Sequence, residues 1–153
     1  MIVVSDTSAT TSLIQIKREQ LLADLFARVI IPPSVRDELL QFHKQIPTLL
    51  EIGSLKHTER TSLLLGEIDL GEAEAIVLAE ETKPDYLLID DLAARQLAIA
   101  KGLPVIGLLG VLIKAKNAGL VNSLKSIICE LETVAGFRIS SELKLQLFQA
   151  AGE

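Results

Sequence analysis

Tyr86-Leu87-Leu88-Ile89-Asp90-Asp91-Leu92-Ala93-Ala94-Arg95 decides the fold. Four residues that suit a buried strand run straight into two acids, and a helical segment follows at once. The same grammar opens the chain. Ile2-Val3-Val4-Ser5 reads as a buried strand, and Asp6-Thr7-Ser8 offers side chains that cap a helix. In parallel sheets, sites lie outside the carboxyl ends of strands, so Asp6 and Asp90-Asp91 have a geometric reason to meet. Carboxylates gathered there repel one another unless a cation neutralises them, which points to a hard-metal site.

Between these strands the pattern continues. Apolar residues from about 9 to 27 predict one or two helices. Val29-Ile30-Ile31 is a β-branched strand, and Pro32-Pro33-Ser34 ends it and opens a helix through Leu40 or beyond. Residues 46–52 read as a further short helix and Leu55-Lys56-His57 as a short strand. A strong helix is expected from Leu70 to about Glu81, broken by Lys83-Pro84-Asp85. After the helix over 91–100, Lys101-Gly102 supplies a cation and a C′ glycine. Leu103-Pro104-Val105-Ile106 is the next strand, and helices are predicted over 111–118, 123–134 and 141–150. The alternation predicts an α/β protein, a central mostly parallel sheet with helices on both faces.

Composition agrees. The 153 residues suit one domain, with 49% hydrophobic residues and 3% aromatics. Mean hydropathy is +0.41. No apolar run reaches the roughly 18 residues of a membrane span. The start has no basic region and meets Asp6 early, so a cytoplasmic protein without membrane contact is expected. A net charge of −5 argues against bulk electrostatic gripping of nucleic acid, though not against a nuclease with a cation in its site. Cys129 is alone and reads as a small core residue. His43 and His57 lack metal-binding spacing and read as surface residues.

Each acid also has a plain structural role to weigh. Asp6 suits an N-cap. Ser34-Val35-Arg36-Asp37 reads as a capping box, which accounts for Asp37. Glu38, flanked by Leu39 and Leu40, lies near an apolar face, where an unpaired charge is costly. Glu72 and Glu74 favour the dipole of a first helical turn, and being two apart they do not share a face. Of Asp90 and Asp91, one caps the next helix and the other is free for a site.

Five segments together carry a family resemblance: Ile-Val-Val-Ser-Asp-Thr-Ser at 2–8, Val-Ile-Ile-Pro-Pro-Ser-Val-Arg-Asp-Glu-Leu at 29–39, Gly-Glu-Ala-Glu-Ala-Ile-Val-Leu-Ala at 71–79, Leu-Leu-Ile-Asp-Asp-Leu-Ala-Ala-Arg at 87–95 and Gly-Leu-Pro-Val-Ile-Gly at 102–107. The set resembles a PIN domain, nearest to the VapC-like branch with a Gly-Glu-x-Glu-Ala helix. The resemblance implies a three-layer α/β/α sandwich over 1–153, with its motifs in 2–120 and a helical tail over 121–153. It also implies a ribonuclease that uses Mg²⁺ or Mn²⁺, acts as the toxin of a toxin–antitoxin pair, forms a homodimer and has a cognate antitoxin partner. The catalytic set implied is Asp6, Glu38, Glu74 and Asp91. Metal ligation is implied for Asp6 and Asp91, with Asp90 and Glu72 alongside, and substrate contact for Thr7, Ser8 and Arg95. Whether Glu72 or Glu74 is the site acid stays open. Ala9-Thr10-Thr11-Ser12 departs from the branch's pattern where the family lines its pocket, which keeps a catalytically silent binding module as the alternative. A phosphotransfer enzyme using Asp6 as nucleophile lacks its Asp-x-Asp, since Ser8 stands at the third place.

Overall fold

The computed structural model describes residues 1–153. Five strands form one parallel sheet in the order β3-β2-β1-β4-β5: β1 (Ile2–Ser5), β2 (Arg28–Ile31), β3 (Leu50–Ile52), β4 (Tyr86–Leu88) and β5 (Val105–Ile106). All four pairings are parallel. The chain moves outward from β1 in one direction to β3, then crosses over to β4 and β5 on its other side. The β1/β4 border is therefore the topological switch point, where such sheets place their clefts.

Strand alternation splits the core in two. Val3, Val29, Ile31 and Leu88 face a cluster of 24 buried residues. It includes side chains of α1 (Thr7–Gln15), α2 (Gln20–Leu25), α3 (Pro33–Phe42), α7 (Leu108–Asn117), α8 (Leu124–Thr133) and α9 (Ser141–Ala150). Val4, Ile30 and Leu87 face a cluster of 12 with α5 (Leu70–Thr82) and α6 (Leu92–Ala100). The result is the expected three-layer sandwich, with a sheet parallel throughout. No helix is long and apolar enough to cross a membrane.

Several local expectations are corrected. The helix expected over 46–52 is loop ending in β3, whose three residues are recruited by pairing with β2 (Val29 with Leu50, Ile31 with Ile52). Residues 55–57 are not a strand. Their amides are held from the side, Lys56 N donating to Glu81 Oε1 at 2.6 Å and His57 N to the same oxygen at 3.1 Å. A short helix, α4 (Thr58–Leu64), follows. The Ser34–Asp37 capping box does not form: Pro32 is the N-cap of α3, Pro33 starts the helix, and no side chain caps it. Cys129 is exposed, because α8 turns Leu124, Ile127, Ile128 and Leu131 inward and leaves position 129 outside.

Candidate active site

Asp6 follows β1 directly and is 2% exposed. It is the N-cap of α1, Oδ1 accepting from Ala9 N at 3.4 Å, while Oδ2 accepts from Ser8 Oγ at 3.4 Å. Beneath it, a 2.9 Å hydrogen bond between the Ser5 and Thr10 hydroxyls locks the strand-to-helix corner. Register sets what lies beside it. Ser5 pairs with Leu88, and Asp6 N donates to Leu88 O at 3.1 Å, so the chain after β4 passes Asp6 as Ile89 and Asp90. Burial, then the Asp90 charge, pushes the Asp6 carboxyl up to about 7, against the opposing pull of the Ala9 and Asp90 backbone N–H groups.

Asp90 and Asp91 divide their work. Asp91, exposed at the rim, caps α6 by accepting from Ala94 N at 3.0 Å. Asp90 turns to the N-terminus of α7, where Leu108 N donates to Oδ1 at 3.1 Å. Burial raises its carboxyl, while the Leu108 N–H and the Arg95 guanidinium lower it. A β-carbon on Gly107 would lie 2.6 Å from Arg95 Nη1 and 2.9 Å from Asp90 Oδ1, so a side chain here would push one of these groups aside. Arg95 Nη1 also donates to Ile89 O at 3.2 Å.

The opposite wall is the start of α5. Asp69 is its N-cap and forms a reciprocal capping box with Glu72: Glu72 N donates to Asp69 Oδ1 at 2.9 Å, and Asp69 N to Glu72 Oε2 at 3.4 Å. Partial burial, followed by the charges of Asp69 and Asp91, pushes Glu72 up to about 7. Glu38 reaches in from α3. Its carboxyl is raised, first by burial and then by Asp69 and Glu74. The Thr7 hydroxyl opposes this shift from outside good hydrogen-bonding geometry. A cleft of about 240 Å³ results. Asp6, Glu38, Asp69 and Glu72 supply its acids, Thr7, Ser8 and Thr11 its hydroxyls, and Phe42 its apolar edge.

The residues expected from sequence thus separate. Asp6, Glu38, Glu72, Thr7 and Ser8 line one cleft, with Asp90 against Asp6 and Asp91 near Glu72. Glu74 does not line it. Two residues and about 200° round the helix from Glu72, it is 8% exposed, accepts from Ser34 N at 3.3 Å and faces a groove with Leu55, Thr61, Leu65 and Leu70. Arg95 lies outside the cleft beside Asp90. Asp69 and Phe42 line the cleft without being anticipated as site residues, whereas Thr11 belongs to the 9–12 segment that the resemblance places at the pocket. Asp69 was accessible in principle, because Asp69-Leu70-Gly71-Glu72 is itself a capping-box pattern.

The donors present are all oxygen, which suits Mg²⁺ or Mn²⁺. No three acids sit close enough to form a ready ion cage. The set fits an ion held by one or two carboxylates and otherwise by water and substrate, the usual manner of Mg²⁺. Thr7 and Thr11 each carry a buried hydroxyl oxygen without a partner at this cleft, further oxygen available to a bound group.

A family model described as a PIN domain matches residues 2–153. No curated protein matches the chain, and no solved structure matches it.

Proposed function

The chain belongs to the PIN-domain family, and from that premise we propose that it is a metal-dependent endoribonuclease of the VapC-like branch, the toxin of a toxin–antitoxin pair. PIN domains are generally nucleases. The observation that supports this most is the convergence of Asp6, Glu38 and Glu72 on one cleft, with Asp6 and Glu72 both pushed up to about 7. Two carboxyls that resist ionisation near neutrality are groups awaiting a cation or a proton transfer.

Mg²⁺ or Mn²⁺ bound there would supply Lewis-acid polarisation of a phosphate oxygen and a lowered pKa for a coordinated water. Asp6 and Glu72 would hold the ion, with Glu38 and the rim Asp91 holding its bound waters and Asp90 steadying the strand end beside Asp6. The Ser8 hydroxyl would orient Asp6, and the unpartnered Thr7 hydroxyl would meet the substrate phosphate. Arg95 would face the RNA chain where it leaves the acids. Glu74 is left out of the chemistry and given a supporting place behind Glu38. A homodimer and a cognate antitoxin complete the proposal, carried by the branch resemblance.

Labelled structured and single-stranded RNAs incubated with the purified protein in Mg²⁺, Mn²⁺ or EDTA, beside Asp6→Asn, test it. Cleavage that needs the ion and is lost in the variant is expected. Cleavage indifferent to EDTA removes the metal, and cleavage unchanged in Asp6→Asn removes that residue.

A silent binding module is the second possibility, favoured by Thr11, which brings the atypical 9–12 segment into the cleft wall. Folded protein that binds Mn²⁺ and cleaves no RNA would select it.

A further inference from the structure

A second groove, of about 440 Å³, lies beside Asp90. Asp90 connects it to the acidic cleft: its backbone N–H acts on the Asp6 carboxyl, while its own side chain lines the groove. The remaining lining is mostly aliphatic, from Val105, Ile106, Leu109 and Leu143 of α9. Gly107 leaves room for the Arg95 guanidinium and the Asp90 carboxylate to lie close together in this groove. At the end nearest Asp90 stands Arg95. Four other arginines pair with carboxylates, Arg18 with Glu130, Arg28 with Glu51, Arg36 with Asp37 and Arg60 with Glu80. Arg95, like Arg138, makes no carboxylate contact that close; Asp90 acts on it from farther off, and it spends one hydrogen bond on Ile89 O. A guanidinium has five N–H donors, so most of this one remains free.

A cation with spare donors in a mostly aliphatic groove matches one nucleotide: phosphate at the cation, base against the aliphatic lining. The volume falls within the roughly 300–1,000 Å³ of small-ligand sites. A duplex could not place a stacked base there, whereas an unpaired strand can splay one out. Resting on the nuclease reading above, we infer that the groove between Arg95, Leu109 and Leu143 is the subsite for an unpaired nucleotide adjoining the scissile phosphate. The C-terminal helix α9 is then part of the substrate-binding surface and contributes to base preference through Leu143.

The test uses full-length Asp6→Asn protein in Mg²⁺ and fluorescein-labelled single-stranded octaribonucleotides of A, C or U, with binding read by anisotropy across a salt series. Arg95→Gln added to this background should weaken binding about tenfold or more. It should also lower the slope of log affinity against log salt by about 0.7, the loss of one phosphate contact on a single strand. Leu143→Ala should leave that slope alone and change the ranking of the three oligonucleotides. Melting curves matched to the parent exclude misfolding, and Leu109→Ala provides a second wall variant should Leu143→Ala melt early. Unchanged affinity and slope in Arg95→Gln, unchanged ranking in both wall variants, or no binding of any oligonucleotide by the parent would each overturn the subsite. Ion-dependent cleavage by the unsubstituted protein is scored separately, so the subsite can fall while the nuclease reading stands.

Discussion

The Glu38 carboxylate rests against the backbone of Gly71: a β-carbon there would lie 2.6 Å from Glu38 Oε1 and 3.4 Å from Thr7 Oγ1. Glycine costs a helix roughly 1 kcal/mol relative to alanine. Here it gives room for an acid from α3 to reach the first turn of α5. Gly71→Ala should therefore displace Glu38 from the cleft. We expect ion-dependent cleavage to fall by about tenfold or more, with stability changed by roughly 1 kcal/mol or less because better helix propensity offsets the crowding. Turnover assays beside urea melts decide it. Full activity in Gly71→Ala would mean that Glu38 has no task in the cleft.

Stability of the metal-free protein should fall as pH rises. Burial and neighbouring charge hold the Asp6 carboxyl at about 7, above its ordinary 3.8. Between those values the folded chain keeps a proton that the unfolded chain has released, so the folded state binds more protons and loses stability through that window. The contribution is complete below pH 3.8, gone above about 7, and at most roughly 4 kcal/mol. Glu72, Glu38 and Asp90 are shifted in the same direction. Melts in EDTA should show a higher Tm at pH 5 than at pH 8, with Mg²⁺ or Mn²⁺ restoring part of the difference at pH 8. Asp6→Asn should flatten the profile. A Tm that climbs from pH 5 to pH 8 in EDTA would contradict the crowding described.

Caps and charges can be separated at Asp69 and Asp91. Asparagine caps a helix about as well as aspartate, whereas alanine costs roughly 1 kcal/mol. Asp91→Asn should leave stability within about 0.5 kcal/mol of the parent while cleavage drops by about a hundredfold. Asp69→Asn should likewise keep the capping box and relieve the charge crowding on Glu72. If Asp91→Asn cleaves normally, Asp91 is a cap and nothing more.

Glu81 provides a control away from the chemistry. Its carboxylate accepts from the amides of Lys56 and His57 and ties the loop after β3 to α5. Glu81→Ala should cost about 0.5–1.5 kcal/mol, because the freed amides are exposed and turn to water. Hydrogen exchange should accelerate at the 56 and 57 amides, and cleavage should be unaffected. Protected amides in the variant would show that the loop is held by something else, such as Gly53 packed against Ile30 and Leu78.

The ordering of strand, acid and helix was legible because it is local. Ile2 to Asp6 and Tyr86 to Asp91 carry their own hydrophobicity and caps, and burial on both faces demands such runs. Those segments are enough to determine a parallel α/β sandwich with acids at the strand ends. β3 was not legible. Leu50-Glu51-Ile52 is only three residues long, too short for its periodicity to tell strand from helix, and it becomes a strand because β2 presents an edge to pair with. The cap of α3 was misplaced because Pro32 and Pro33 start that helix without help from Ser34. The choice between Glu72 and Glu74 was beyond the sequence as well. Two residues along a helix turn a side chain through about 200°, so the spacing requires the two to part but is silent on which enters the cleft. Only the seating of α5 decides that. Ala73, Ile76 and Val77 go into the interior, Gly71 is held against Glu38, and Glu72 is left facing Asp6 with Glu74 turned toward α4. The sequence by itself determined the layers and the residues able to carry charge to one edge. Tertiary packing decided which carboxylates meet, because their meeting depends on strand register and helix rotation, which distant contacts set.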